Sequence, residues 1–115
     1  MQANYAKRED VVVVELKGRL DFESAESFRR GLQRLLSEKV VFDLRDLNFV
    51  GSLGLKDFVD TLDLMAQKSN AGVRFCGVSS EFRRLFEATG LRGHQIYDSA
   101  DKAIQSFTWP TAPIL

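Results

Sequence analysis

The sequence predicts an α/β fold, with a mixed sheet of four or five strands and about four helices. Apolar runs of strand length alternate with segments whose apolar residues recur at helical spacing. Strands that alternate with helices in this way are parallel neighbours joined by helical crossovers. The chain has 115 residues, which is the size of one domain with its own core. We therefore expect one domain over residues 1–108 and a separate tail over residues 109–115.

The first half of the chain predicts three strands and one helix. Four consecutive valines beginning at Val11 indicate a strand that is covered on both faces. In chain order we expect an antiparallel edge strand at 3–7, a strand from Val11 to Leu16 that Gly18 ends, a helix with apolar residues from Phe22 to Leu36, and a strand from Lys39 to Leu44.

The second half repeats the alternation. We expect a helix with an apolar stripe from Leu55 to Ala66, a strand from Gly72 to Val78, a helix with Phe82, Leu85 and Phe86 inward, a strand at Gln95 to Tyr97, and a helix with Ala103, Ile104 and Phe107 inward. The tail from Trp109 to Leu115 differs, because its two prolines oppose regular structure. It is either a docked arm or a frayed end.

Composition excludes several classes of partner. Lys plus Arg and Asp plus Glu number 16 each, so the bulk charge indicates neither nucleic acid nor an anionic membrane as the partner. The longest apolar run is four valines, and the N-terminus lacks the form of a signal peptide. We expect a cytoplasmic protein without membrane insertion, and the sequence carries no signature of an oligomeric state. Cys76, the single cysteine, lies in a predicted strand, where we expect it to be buried.

Groups that could perform catalysis are scarce. The single histidine, His94, has no sequence signature that names a nucleophile or an acid partner, and phosphate-loop and dinucleotide motifs are absent. Asp43 and Asp46 lie where a strand is predicted to end and, with Asp21, could form an acidic pocket. They are equally well explained as turn residues whose carboxylates bond nearby backbone amides. We expect no enzymatic activity, no cofactor and no metal site.

Ser52 lies between two glycines at the start of the helix that carries the Leu55 stripe. The helix is predicted to begin at residues 52–54, so Ser52 falls at the N-cap or in the first turn. A serine cap stabilises a helix by about 0.5 to 2 kcal/mol relative to alanine. The free amides of a helix N-terminus also stabilise an attached phosphate, so the same position suits a phosphoacceptor. Local chemistry alone favours the cap as the sole role.

The outward face of this helix carries a candidate interface. With the Leu55 stripe turned inward, four residues at i, i+4, i+7 and i+11 point outward: Leu53, Asp57, Asp60 and Leu64. Two leucines are unusual on a solvated helix face, so the stripe indicates a protein interface that begins at Ser52.

Nearly all of the chain before the tail resembles the STAS family, the domain of anti-sigma-factor antagonists and sulfate-transporter tails. "VVVVELKGRLDFESAESFRRGL" is similar to its opening strand, turn and first helix, and "VVFDLRDLNFVGSLGLKDF" to its central strand, serine loop and helix. "GVRFCGVSSEFRRLFEATGL" and "YDSADKAI" resemble the segments that follow.

The resemblance implies a function for the serine loop. In antagonists of this family, the partner anti-sigma factor is a kinase that phosphorylates a serine in this loop, and by motif position that serine is Ser52. Gly51 stands where the family usually has aspartate, and Leu53 where it has a second hydroxyl. We therefore predict an anti-sigma-factor antagonist-like binding module that serine phosphorylation regulates, in which the partner-binding residues are Gly51, Leu53, Gly54, Asp57, Asp60 and Leu64.

Two alternatives remain open. One is a constitutive STAS subunit of a larger assembly, such as a transporter partner, in which Ser52 is only a cap. The other is an enzyme or metal-dependent phosphoacceptor built on Asp43 and Asp46, which the missing catalytic partners disfavour.

Overall fold

A computed structural model describes residues 2–20, 22–49, 52–69, 71–89 and 96–108. These residues form five strands, four α-helices and a short 3₁₀ turn, which confirms the predicted α/β class. In chain order they are β1 (Gln2–Arg8), β2 (Val11–Leu20), α1 (Phe22–Leu32), the 3₁₀ turn (Gln33–Leu35), β3 (Lys39–Phe49), α2 (Ser52–Lys68), β4 (Val73–Cys76), α3 (Ser80–Thr89), β5 (Ile96–Tyr97) and α4 (Ala100–Thr108).

The strands form one mixed sheet in the order β1-β2-β3-β4-β5. β1 is the predicted edge strand and pairs antiparallel with β2 through a two-residue turn. The other neighbours pair in parallel, because a helix connects each of these strands to the next.

The sheet is covered on both faces. On one face, β2, β3 and β4 pack against α1 and α2, and the buried helical side chains are Phe28, Leu32, Phe58, Val59, Leu62 and Met65. On the other face they pack against α4, whose buried side chains are Ala103, Ile104 and Phe107. All of these residues except Leu32 and Phe107 are less than 5% exposed. The inward residues predicted for α3 lie outside the described side chains.

β2 and β3 are longer than predicted. β2 continues through Gly18, which adopts a positive φ of 88°, and β3 continues to Phe49. Glu15 pairs with Asp43 and Lys17 with Asp46, so β3 carries one extra residue, a bulge. The predicted strand ends at Gly18 and Leu44 are therefore wrong. After the bulge, β3 is covered on one face only, so its buried and exposed residues alternate. Without a continuous apolar run, this part of the sequence is not predicted to be a strand.

Candidate functional site

The site predicted from the sequence is the start of α2. β3 ends at Phe49 and α2 begins at Ser52, so only residues 50–51 separate the strand from the helix. Ser52 is the first helical residue, within the predicted range of 52–54. Its side chain lies outside the described side chains, so the capping role stays a prediction.

Two helices begin side by side at this end of the molecule. Leu20 at the end of β2 pairs with Phe49 at the end of β3, and α1 and α2 start shortly after those residues. The first amides of each helix have no partner within the helix, and the helix dipole places positive partial charge there. The backbone at the start of α2 therefore favours an anionic group.

α2 has the phase that its sequence pattern predicts. Phe58, Val59, Leu62 and Met65 are buried against the sheet. Asp60 is exposed, and Leu64 is 49% exposed although it is a large apolar side chain. Half of the predicted outward stripe is therefore accessible to a partner.

The remaining predicted site residues are only partly described. Leu53, Gly54 and Asp57 lie in the first two turns of α2, but their side chains are outside the described ones. Gly51 lies outside the described residues altogether. The backbone nevertheless brings Ser52, Leu53 and Gly54 together in one helical turn.

Asp43 and Asp46 are not at a strand end, because β3 runs past both. The Arg45 amide donates a hydrogen bond to Asp43 Oδ1 at 3.0 Å, and the Arg45 guanidinium lies 3.6 Å from Asp43 Oδ2. Asp43 thus stabilises the bulge through a nearby amide, which was the alternative interpretation of this residue. Asp46 is exposed, and Asp21 lies outside the described residues. Among the residues that the structure describes, no three His, Cys, Asp or Glu side chains are grouped to hold a metal ion.

Cys76 is fully buried in β4, as expected. Burial, together with the negative charge of neighbouring Asp43, raises the pKa of the Cys76 thiol to about 12. The thiol is therefore neutral at physiological pH and is not a nucleophile. His94 lies outside the described residues.

Sequence reasoning missed a groove of about 440 Å³ between α1 and α2. Arg29 and Leu32 of α1 line one side of the groove, together with Gln33 in the following 3₁₀ turn and Leu36 just after it. Thr61, Leu64, Met65 and Lys68 line the other side. Both sets follow the helical spacing i, i+3, i+4, i+7. The sequence shows this spacing, but it does not show that the two segments lie side by side.

In the described part of the chain, no helix combines the length and the apolar character needed to cross a membrane.

Comparison with known proteins identifies the family. The STAS domain family matches residues 2–103. An anti-sigma F factor antagonist from Paenibacillus polymyxa is 28% identical over 109 residues, which cover 90% of this chain and 92% of that protein.

Solved structures share the fold. The crystal structure of an anti-sigma factor antagonist from Mycobacterium paratuberculosis superposes with a TM-score of 0.70 at 23% identity, over 93% of each chain. The Bacillus cell-fate determinant SpoIIAA in its phosphorylated form superposes with a TM-score of 0.66 at 20% identity, over 90% of this chain and 97% of that one. The chain thus belongs to the STAS domain family, and its similarity to anti-sigma-factor antagonists extends over most of its length.

Proposed function

We propose that this protein is an anti-sigma-factor antagonist that binds an anti-sigma kinase and is released when the kinase phosphorylates Ser52. The observation that carries the proposal is the position of Ser52 as the first residue of α2, which only two residues separate from the end of β3. The Paenibacillus polymyxa relative, which is named an anti-sigma F factor antagonist, supports the choice of partner. The STAS family is not enzymatic, which agrees with the prediction that this chain is not an enzyme.

The chemistry of the switch follows from the helix start. The kinase transfers the γ-phosphoryl group of ATP to the serine oxygen, ADP leaves, and the hydroxyl proton is lost. The phosphate then lies beside the free amides at the start of α2, so the helix tolerates it. It adds about −1.5 to −2 charge to the surface, which introduces repulsion and a desolvation cost in an interface and thereby releases the partner.

The proposed partner surface extends from Ser52 along the outward face of α2. Leu53 and Asp57 belong to it by helical spacing, and the exposure of Asp60 and Leu64 supports it. When a partner covers a half-exposed apolar side chain, apolar surface is removed from water, and this favours formation of the complex.

The experiment compares two substitutions of Ser52, with the anti-sigma kinase encoded in the same genome as the partner. Ser52→Ala should lower the free energy of unfolding by about 1 kcal/mol, the effect of a lost cap, and should abolish phosphorylation while binding is retained. Ser52→Asp should keep or raise stability, because it retains a capping oxygen and adds negative charge at the helix start, yet it should weaken the complex. Urea unfolding and isothermal titration calorimetry measure the two effects.

Ser80 provides a matched control, because it is an exposed serine at the first residue of α3. Ser80→Asp should leave partner binding unchanged. If Ser52→Asp also binds the kinase as tightly as the unmodified protein does, negative charge at this position does not act as a switch.

A second function is favoured by one specific feature of the loop. Gly51 and Leu53 replace a carboxylate and a hydroxyl that the family usually carries beside the serine. A constitutive STAS subunit of a larger assembly needs neither group. Intact-mass analysis of the protein from its native cell, during growth and under stress, separates the two functions. Absence of phosphate in both conditions would favour the constitutive subunit.

A further inference from the structure

The groove between α1 and α2 has apolar walls with a cation at each end. α1 and α2 each return from the carboxyl edge of the sheet to its amino edge, so they run in the same direction. Arg29 is the first groove residue along α1, and Lys68 is the last along α2. The two cations therefore lie towards opposite ends of the groove, and each lining set spans seven residues, about 10 Å of helix at a rise of 1.5 Å per residue.

The middle of the groove is apolar. Leu32 and Met65 are buried against the sheet and form its floor, and half-exposed Leu64 forms part of its wall. A volume of about 440 Å³ holds several side chains. The groove is thus large enough and apolar enough to bind the side chains of a partner.

The two cations are available to bind carboxylates of a partner. Arg29 lies 3.7 Å from Glu26, but both side chains are about half exposed. An exposed ion pair at that distance is weak, so Arg29 can exchange Glu26 for a carboxylate of the partner. Among the residues that the structure describes, none forms an ion pair with Lys68. Asp63 lies on the neighbouring stripe of α2, where it accepts a hydrogen bond from Gln67 Nε2 at 3.1 Å.

We propose that this groove binds an acidic amphipathic helix of a partner protein. Two carboxylates seven positions apart would pair with Arg29 and Lys68, because seven residues of a partner helix span about the same 10 Å as each lining set of the groove. Apolar residues at the third and fourth positions between them would face Leu32 and Met65. The recognised pattern is acidic-x-x-apolar-apolar-x-x-acidic. This surface lies in the second half of α2, away from Ser52; it shares Leu64 with the proposed kinase surface but does not include Ser52.

The test uses a capped synthetic peptide with this pattern, two glutamates and two leucines in an alanine-rich helix of about 15 residues. Titration into ¹⁵N-labelled protein should shift amide resonances in the second half of α1 and of α2. Arg29→Glu and Lys68→Glu should each weaken binding roughly fivefold or more. Arg34→Glu is the matched control, because Arg34 is an exposed cation beside the groove that does not line it, and it should have a much smaller effect.

A charge exchange makes the test specific. A peptide with lysines in place of the two glutamates should bind the double variant Arg29→Glu and Lys68→Glu better than it binds the unmodified protein. The proposal is overturned if the glutamate peptide binds the double variant as tightly as the unmodified protein, or does not saturate the protein by about 1 mM. It is also overturned if decanoate saturates the groove while the peptide does not, because the groove would then bind small amphiphiles.

A crosslinking experiment in the native cell tests the partner directly. A photoreactive amino acid at Gln33, an exposed residue of the groove, should capture a peptide that carries the acidic and apolar pattern. The crosslink should disappear in the double variant and persist with Arg34→Glu. A captured peptide without the pattern, or a crosslink that persists in the double variant, contradicts the proposal.

Discussion

Asp43 and Cys76 are polar residues that lie side by side in the sheet, where neighbouring elements cover both of them. They are paired residues of β3 and β4, and both are buried. The Arg45 amide donates a hydrogen bond to Asp43 Oδ1, and the Arg45 guanidinium forms an ion pair with Asp43 Oδ2. In the described part of the chain, no buried side-chain nitrogen or oxygen lacks a hydrogen-bond partner. Asp43 and Cys76 therefore contribute to the folded structure rather than to a catalytic reaction.

Cys76 should be unreactive in the folded protein. Because its pKa is about 12, only about one thiol in ten thousand is ionised at pH 8, and the side chain is fully buried. Ellman's reagent should label the native protein only as fast as it unfolds, and should label it completely in urea. Rapid labelling of the native protein would contradict the burial of Cys76.

The same raised pKa predicts a dependence of stability on pH. The folded protein holds the thiol neutral, whereas the unfolded chain ionises it near pH 9. Stability from this group is therefore fully present below pH 9 and is lost as the pH rises from 9 towards 12. In urea unfolding, the stability advantage of the unmodified protein over Cys76→Ala should shrink above pH 9. An advantage that is constant up to pH 11 would show that Cys76 does not titrate in this way.

Gly77 is required where the chain leaves β4. It adopts a positive φ of 68°, and a Cβ atom at this position would lie 2.7 Å from the Arg45 backbone nitrogen. Gly77→Ala should therefore lower the free energy of unfolding by about 1 to 3 kcal/mol or more. Urea unfolding measures the change.

Gly31 in α1 is the matched control for Gly77. The nearest atom to a Cβ at Gly31 is the Tyr5 hydroxyl oxygen at 3.6 Å, so there is room for the methyl group. Gly31→Ala should be neutral or stabilising by up to about 1 kcal/mol, because alanine favours the helix. Equal losses for the two substitutions would contradict the special conformation of Gly77.

At the scale of elements, α2 combines a buried stripe with an accessible one. Its buried stripe packs on the sheet beside α1, and Phe28 of α1 contacts both Phe42 and Phe58 with ring centroids 5.8 and 5.7 Å apart. This contact holds α2 in one rotational position. The outward residues are therefore presented to a partner in a defined order from Ser52 onward.

The orientation of α2 predicts opposite effects for two nearby leucines. Leu64→Lys should change the free energy of unfolding by less than about 0.5 kcal/mol, since the side chain is half exposed, yet it should weaken the partner complex. Leu62→Ala should cost about 2 to 5 kcal/mol, because Leu62 is fully buried. Urea unfolding and partner titration measure these changes. If Leu64→Lys unfolds the protein, the orientation of α2 is wrong.

At the scale of the whole molecule, the sheet has a protected centre and an exposed edge. β2 and β3 have neighbours on both sides and are covered on both faces along their first halves. β1 lies at the edge, and six of its seven residues are exposed. The ion pair between Arg8 of β1 and Asp101 of α4 joins two exposed side chains, so it adds little to the stability of the edge.

Native-state hydrogen exchange should follow this arrangement. Amides of Val13, Val14, Val41 and Phe42 should exchange most slowly, through global unfolding, whereas those of β1 should exchange faster through local opening. Mass spectrometry of peptides after exchange, or NMR, measures the difference. Equal protection of β1 and β3 would show that the edge strand is part of the same cooperative unit as the centre.

The order of strands and helices was predictable from the sequence, because apolar periodicity reports which residues of each element are buried. The valines of β2 and the buried stripe of α2 are examples, and the position of Ser52 followed from that stripe. Where one face of the sheet is open to solvent, a strand has no continuous apolar run, so the part of β3 after Leu44 is not predicted to be a strand. The roles of Asp43 and Asp46 were left open for that reason.

By itself, the sequence determined the fold class, the alternation of elements, the phase of α2 and the location of the serine loop, all of which depend on local periodicity and turn residues. Tertiary structure alone decided the β3 bulge, the close approach of Gly77 to Arg45 and the groove between α1 and α2. Each of these features joins residues from different parts of the chain. Their proximity results from how the elements pack, which spacing along a single segment cannot report.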